Sequence, residues 1–353
     1  MGTEANPLIT RHKCSACFKQ FKRKEHLVEH MKISYHSVHQ PRCPVCLKHC
    51  KSFESVREHL NGPLQKPTCS EVFSVQGCNL CLKVYNSSNS LHKHKEICCL
   101  ASPVPLGTAF MHSTECQVNM SVSNDKDHNL EGLKGVAMDC EMVGGGSDGS
   151  IDICARVCLV DEDENIIFYA YVQPEIPVTN YRYELTGLTK EHLKDAVPLM
   201  EVKDEILKIL YNGEPVERLR LDGGKARLLV GHSLEHDLYC LRMKYPVHLL
   251  RDTAKYQPLM KTNLVSHSLK YLTRTYLGYD IQTAVHDPYE DCVSVMRLYK
   301  RMRSQDHQME GMKPQNLSTD FDSLQPEELE KMSPDELYEI SRPNYRCWCL
   351  DSK

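Results

Sequence analysis

Ten of the eighteen cysteines in this 353-residue chain fall before residue 100, most in Cys-x2-Cys pairs followed by histidines. A secreted disulfide framework has no use for those histidines, and the polar start "MGTEANPLITRHK" has no signal-peptide core, so zinc is the better reading. The first unit runs Cys14-x2-Cys17-x12-His30-x5-His36, with Phe21 and Leu27 at the two small-core positions of a two-Cys, two-His finger. The third repeats it as Cys78-x2-Cys81-x12-His94-x3-Cys98, with Tyr85 and Leu91 in the core and Cys99 as an alternative to Cys98. The second begins in register, Cys43-x2-Cys46-x12-His59, but its fourth ligand is displaced. Cys69, after "LNGPLQKPT", is the choice, with Cys50 and His49 as alternatives. Units this short cannot fold on apolar burial, whereas structural zinc supplies about 10 to 16 kcal/mol. Three modules are therefore expected within residues 1–100, at 14–36, 43–69 and 78–98, holding two to three zinc ions. His12, His26, His39 and His92 are read as surface residues.

Charge is unevenly spread. Residues 1–100 carry 15 Lys+Arg against 7 Asp+Glu, a surplus of +8, whereas residues 304–353 carry 5 against 11, a deficit of −6. A basic front suggests a polyanionic partner there. The first cysteines of successive modules lie 29 and then 35 residues apart. Arrays that follow the DNA major groove need an even pitch, so these modules suit RNA or a protein better. Residues 101–133, rich in Ser, Pro and Asn, read as a linker. The tail, 304–353, is acidic and expected to be flexible. It has one helix candidate, "SPDELYEIS", and a Cys347-Trp348-Cys349 triplet whose two cysteines are too few to define a metal or partner site by themselves. No run of about 18 apolar residues exists, so a soluble, intracellular protein that spans no membrane is expected.

From Gly135 the pattern changes. "GVAMDCEMVGGG" reads as an inner strand interrupted by Asp139 and Glu141, which at i and i+2 emerge on one face and would repel unless a divalent cation lay between them. Strands follow at 151–160, 166–173, 228–232 and 249–253, and helices at 190–196, 199–211, 233–243, 266–277 and 288–303. Three hairpin-connected strands and then alternating elements imply a mixed α/β sheet covered on both faces. The turn "DEDEN" between the second and third strands looks solvated. Ser233 is placed to cap one helix. Asp287, Pro288 and Glu290 form an N-cap, N1 and capping-box set for another. Asp237 and Asp291, in the first turns of these helices, have no capping duty and remain candidate ligands, and His286 stands beside the second.

Taken in order, Asp139, Glu141, Asp237, His286 and Asp291, with "TGLTKEHL", "GHSLEHDLYCL", "RDT", "SLKYL", "LGYDIQ" and "HDPYEDC", resemble the DEDDh class of 3′-to-5′ exonucleases, closest to its RNA exonuclease 4-like branch. The resemblance covers residues 134–303. Zinc fingers ahead of such a domain look like plant members of the branch. "GEPVERLRLDGGKA" (213–226) is an insertion, and Ala284 stands where relatives often have Gly; neither touches a catalytic position. The resemblance implies a ribonuclease H-like fold and metal-dependent release of nucleoside 5′-monophosphates from RNA, in rRNA or other RNA processing or turnover, in the nucleus or nucleolus. It further implies two Mg2+ (or Mn2+) ions held by Asp139, Glu141, Asp237 and Asp291, with Asp139 bridging, and His286 as general base. Asp252 is read as a supporting residue, His232 as bracing its loop, and Cys140, Cys154, Cys158, Cys240 and Cys292 as core. A nucleic-acid binder with an inactive nuclease domain and a DNA-directed exonuclease are the alternatives. A protein partner for the fingers or the acidic tail is the remaining expectation.

Overall fold

The computed structural model describes residues 11–63, 65–106, 134–215, 224–305, 307, 321–342 and 344–352. Most of the expected linker and the middle of the 213–226 insertion lie outside them.

In the first module a short hairpin, His12–Lys13 with Gln20–Phe21, precedes helix α1 (Lys24–Ser34). Helix α2 (Phe53–Asn61) belongs to the second module, and an additional helix, α3 (Pro67–Gln76), opens with proline at its first turn. The third module contributes α4 (Ser88–Cys98). Ser52 and Ser87 cap α2 and α4, each hydroxyl accepting from the backbone N–H three residues on. The buried apolar set of each module is small: Leu27, Val28 and Met31; Val56, Leu60 and Phe73; Leu91.

The main sheet has seven strands: β1 (Gly135–Gly145), β2 (Ile151–Val160), β3 (Ile166–Gln173), β4 (Val178–Asn180), β5 (Val197–Pro198), β6 (Leu228–Gly231) and β7 (Leu250–Asp252). Their order is β5-β3-β2-β1-β6-β7, with β4 paired to the end of β1. The first three form antiparallel hairpins, whereas β6 runs parallel to β1 and β7 parallel to β6. This is the mixed sheet expected. Because β1 is central, Val136, Ala137, Met138 and Val143 are buried.

Helix α5 (Leu199–Tyr211) buries Val202, Ile206 and Leu210, and α6 (Leu234–Cys240) follows β6 directly. The helix expected at 266–277 is divided into α7 (Leu269–Leu272) and a wider π turn, Thr273–Leu277, that ends at Gly278 with φ +91°. That expected at 190–196 shrinks to a 3-10 turn, Glu191–Leu193. Helix α8 (Pro288–Arg303) lies against β1 and β2, burying Val295, Met296, Tyr299 and Met302.

The second and third modules dock on this domain. The Arg57 guanidinium lies 4.9 Å from the Tyr276 ring centroid and donates to the carbonyls of Asn79, Leu80 and Thr275. Glu54 meets His267 at 3.1 Å, and Leu100 N donates to Leu277 O. Arg301 donates to Cys98 O at 2.6 Å.

Where a flexible tail was expected, its described residues pack. Helix α9 (Pro326–Lys331) and α10 (Pro334–Ile340), the latter within the anticipated "SPDELYEIS", bring Phe321, Leu329 and Leu337 against Leu27, Val28 and Met31 of the first module. The final residues return to the main core. Trp348 stacks on Tyr256 at 3.9 Å and meets Tyr299 edge-on, and Asp351 takes a bidentate pair from Arg251, both side chains buried. Apolar complementarity overrides the acidic composition here.

The "DEDEN" turn is not simply solvated. Glu162 accepts from Gly135 N at 2.8 Å and from Arg303, while Glu164 pairs with Arg297 through two bonds of 2.7 and 2.6 Å. The turn thus anchors both β1 and α8. Burial alone would raise the Glu162 pKa, but the bonds from Arg303 and Gly135 hold it below 4.5. Its contribution is therefore fully present above pH 4.5 and is lost as pH falls through the folded-state value. Glu162→Gln should lower the thermal midpoint by about 2 to 4 °C at pH 7, and the deficit should shrink steadily in acid. Calorimetry of both proteins from about pH 7 to about pH 3 checks this; a deficit that persists unchanged in acid contradicts it.

Candidate metal centre

Three elements deliver the carboxylates. In β1, Asp139 pairs across to Cys158 and Glu141 to Arg156, and the register slips between Glu141 and Met142. That bulge bends the strand beside its acids.

Helix α6 carries Asp237. Ser233 does not cap it: its φ is +61° and its side chain is not bonded to the helix start. Asp252 of β7 does so instead. Its carboxylate accepts from Ser233 N at 2.8 Å and Leu234 N at 3.1 Å, and also from Ala254 N. The helix so held presents Asp237 to Cys140 N, at 3.1 Å, between the two strand acids. Gly231 makes this turn possible, since a Cβ there would sit 2.3 Å from Leu234 Cδ2 and 3.1 Å from Met138 O.

Helix α8 carries Asp291. Asp287 caps it through Tyr289 N, but the capping box does not close, because Glu290 turns to accept from Gln282 N at 3.0 Å. Gln282 also donates from its amide to Asp291 Oδ2 at 2.8 Å. The other Asp291 oxygen, Oδ1, is buried with no hydrogen-bond partner.

The His286 backbone is fixed on both sides. Its N–H donates to Leu185 O at 2.6 Å, and its carbonyl accepts from Arg156, which also donates to Thr186 O. Gly187 lies at φ +64°, and a Cβ there would meet Val285 Cγ1 at 2.8 Å, so the "TGL" loop can approach the histidine loop only with glycine.

Glu141, His286 and Asp291 each place a ligand atom within 4.8 Å of the others. Asp139 and Asp237 adjoin that set without joining it at this spacing. The electrostatics show how close the acids are. Burial pushes Asp139 well above the carboxylate range, and the charges of Asp291, Asp237 and Glu141 push it further. Burial raises Glu141 to about 7 against the pull of Arg156, and Asp237 to about 7 against its bonds from Cys140. Asp291 is raised to about 8, again by burial first, with Gln282 opposing. For His286, burial and then the Lys270 charge lower the pKa. Oxygen donors with one imidazole, an excess of negative charge and an orphaned buried oxygen form a set that fits a hard divalent cation.

The cysteine-histidine sets also assemble. Cys14, Cys17, His30 and His36 lie within 4.8 Å of one another, as do Cys78, Cys81, His94 and Cys98. In the second module the group is Cys43, Cys46, His59 and Cys69, the last brought in by α3. The alternatives are engaged elsewhere: His49 bonds Tyr338 at 2.7 Å, Cys50 points to Lys48 O, and Cys99 points to Gly278 O. His232 bonds Thr253 Oγ1 at 2.9 Å, within the loop it was expected to brace. Cys140, Cys154, Cys158 and Cys292 are buried and Cys240 is half-buried. His39, read from sequence as a surface residue, lies instead beside Cys349.

Sequence reasoning missed Arg156 and Gln282. A lone arginine inside the apolar run "CARVCLV" was a visible signal for the first. Gln282 closes the "LGYDIQ" motif, but nothing in the sequence assigned it a role; its φ is +53° and its amide reaches Asp291.

Residues 136–299 match the exonuclease family model of the RNase T type, whose members use divalent metals. RNA exonuclease 4 of Mus musculus is 36% identical over 185 residues, covering 52% of this chain and 40% of that protein. RNA exonuclease 4 of Candida glabrata is 34% identical over 185 residues, covering 52% of this chain and 65% of its own length. This chain thus spans less than two thirds of either relative. Among solved structures, the Neurospora crassa Pan2 catalytic unit is 21% identical with a TM-score of 0.40, over 50% of this chain and 28% of that one.

Removing one of four mutually repelling acids should relax the metal-free protein. Asp139→Asn should raise its thermal midpoint in chelator by a few degrees, and saturating Mg2+ or Mn2+ should stabilise the native sequence far more than the variant. Thermal melts with and without the ions check this, and equal stabilisation of both proteins contradicts it.

Proposed function

We propose that this chain, whose residues 136–299 match the RNase T type exonuclease family model, is a metal-dependent 3′-to-5′ exoribonuclease releasing nucleoside 5′-monophosphates. The carrying observation is the convergence of Glu141, Asp291 and His286, together with a buried Asp291 oxygen that has no protein partner. The names of the relatives above support RNA over DNA as the substrate. Nuclear RNA processing or turnover remains part of the proposal.

Asp139, Glu141, Asp237 and Asp291 would hold the cations, two Mg2+ or Mn2+ ions. When bound, such ions supply the positive charge that activates water and stabilises the leaving 3′-oxygen. His286 takes the proton of the attacking water. Its lowered pKa keeps the imidazole neutral, and so able to accept, at pH 7. Arg156 acts as a positioning residue: it holds the His286 carbonyl and the Thr186 carbonyl together, and with them the two loops at the mouth of the site. Tyr183, Leu185 and Val285 are exposed on those loops, where they can pack against the terminal base.

The cysteine-histidine modules would hold three structural zinc ions. Lys19, Lys22 and Arg23 are exposed on the first module, with Lys24 half-buried beside them. The α/β domain is slightly acidic by contrast, 22 Lys+Arg against 25 Asp+Glu over residues 134–303. Capture of long RNA therefore falls to the fingers. The reading of an inactive nuclease domain is disfavoured because all four acids and the histidine are present, with Glu141, His286 and Asp291 brought together and Asp139 feeling the charges of the other three acids.

His286→Ala should slow turnover by roughly 10² to 10⁴ with little change in RNA binding. Chelation should abolish activity, and a 3′-labelled RNA should be cut faster than the matched DNA. Single-turnover assays on both substrates check this; faster cutting of DNA moves the assignment to DNA, and an active chelated enzyme rejects it. Reversing Lys19, Lys22 and Arg23 to Glu should weaken long-RNA binding and flatten its salt dependence by about 0.7 in log-log slope for each phosphate no longer neutralised. Affinities at several salt concentrations decide the matter, and unchanged slopes would assign the finger surface to a protein partner.

A further inference from the structure

We propose that His39, His307, Cys347 and Cys349 form a fourth zinc site, which fastens the chain's C-terminal residues to the segment between its first two fingers and to the end of the α/β domain. These four side chains offer ligand atoms within 4.8 Å of one another, the same spacing that groups each finger set. Cys347 Sγ lies 3.3 Å from His307 Nε2, and Cys349 Sγ lies 3.3 Å from His39 Nδ1. The corresponding sulfur-nitrogen separations in the three fingers are 3.2, 3.3 and 3.1 Å. Tetrahedral zinc with bonds of about 2.3 Å to sulfur and about 2.0 Å to nitrogen needs ligand atoms roughly 3.5 Å apart. Two sulfurs and two imidazoles are also the donor set of a closed structural site rather than a catalytic one.

The surroundings hold the ligands in place. Tyr345 donates to His39 O at 2.7 Å, tying the loop of one ligand to the segment that carries two others. Tyr256 lies 3.6 Å from Cys347 Sγ, and Trp348, between the two cysteines, stacks on that same tyrosine. Asp351, two residues beyond Cys349, is locked to Arg251. The consequence is mechanical: the ion would close a loop that runs from the fingers through the whole α/β domain, so the tail and the first module hold their places together.

The test uses the full-length protein. Elemental analysis of the native sequence, Cys349→Ser and His307→Ala should show each variant holding one zinc fewer per chain than the native protein. Because only that difference is read, finger occupancy does not enter it. Trp348 is the chain's one tryptophan, so exchanging zinc for Co2+ should quench native emission at least two-fold and leave His307→Ala much less affected. Equal zinc content in native and variant proteins overturns the proposal. If neither variant is soluble, the native protein decides: unquenched Trp348 emission after complete cobalt exchange rejects the site.

Discussion

Crowded negative charge in a buried pocket is the constraint on which this architecture turns. Asp139 and Glu141 on β1, Asp237 on α6 and Asp291 on α8 are held together although burial pushes every one of them toward the protonated form and the charges of neighbouring carboxylates add to it. Such an arrangement persists only if the scaffold is over-determined around it. Asp252 fastens the start of α6, Cys140 N holds Asp237, and Gln282 holds one oxygen of Asp291. Farther out, Glu162 and Glu164 clamp α8 through Arg303 and Arg297, so the helix that carries Asp291 cannot swing away from the strand that carries Glu141. Stability given up at the pocket is recovered in these surrounding contacts.

The same logic extends to the modules. Fingers two and three do not hang as beads ahead of the α/β domain. Arg57 and Glu54 seat the second finger on the α7 region, and Arg301 of α8 reaches the carbonyl of Cys98 in the third. The acidic tail covers the first finger and then inserts Trp348 between Tyr256 and Tyr299. A chain that reads as basic front, enzyme and acidic tail therefore folds so that front and tail meet. The exposed lysines of the first finger are thereby held on the same body as the carboxylate cluster.

Much of this was legible because its physics is local. Alternation and apolar runs marked β2 and β3, and helical periodicity with an N-cap marked α8, at their observed bounds. The acid pair on an inner strand points to a cation by its spacing alone. The finger sets are grouped by spacing alone, and Cys69, chosen over Cys50 and His49, lies with Cys43, Cys46 and His59, brought there by a helix the sequence did not suggest. What stayed hidden depends on long-range contacts. Glu290 had every local reason to close a capping box, yet Gln282 N, brought close by tertiary structure, captured its carboxylate. Ser233 lost its cap to Asp252, nineteen positions away in sequence. His39 looked like a surface residue because its neighbours, His307 and Cys349, lie hundreds of residues distant. Composition misled most in the tail, where Phe321, Leu329, Leu337, Cys347 and Trp348 are buried despite a surplus of acids.

The central claim is that the carboxylate cluster exists to hold divalent cations. Diffraction from crystals grown with Mn2+, recorded at the manganese absorption edge, tests it most directly. The account predicts anomalous density within coordination distance of Glu141 and Asp291, including the orphaned oxygen of Asp291, with Asp139 turned toward it. Density elsewhere on the surface, with the cluster empty and its carboxyl groups hydrogen-bonded to one another at saturating Mn2+, would contradict it.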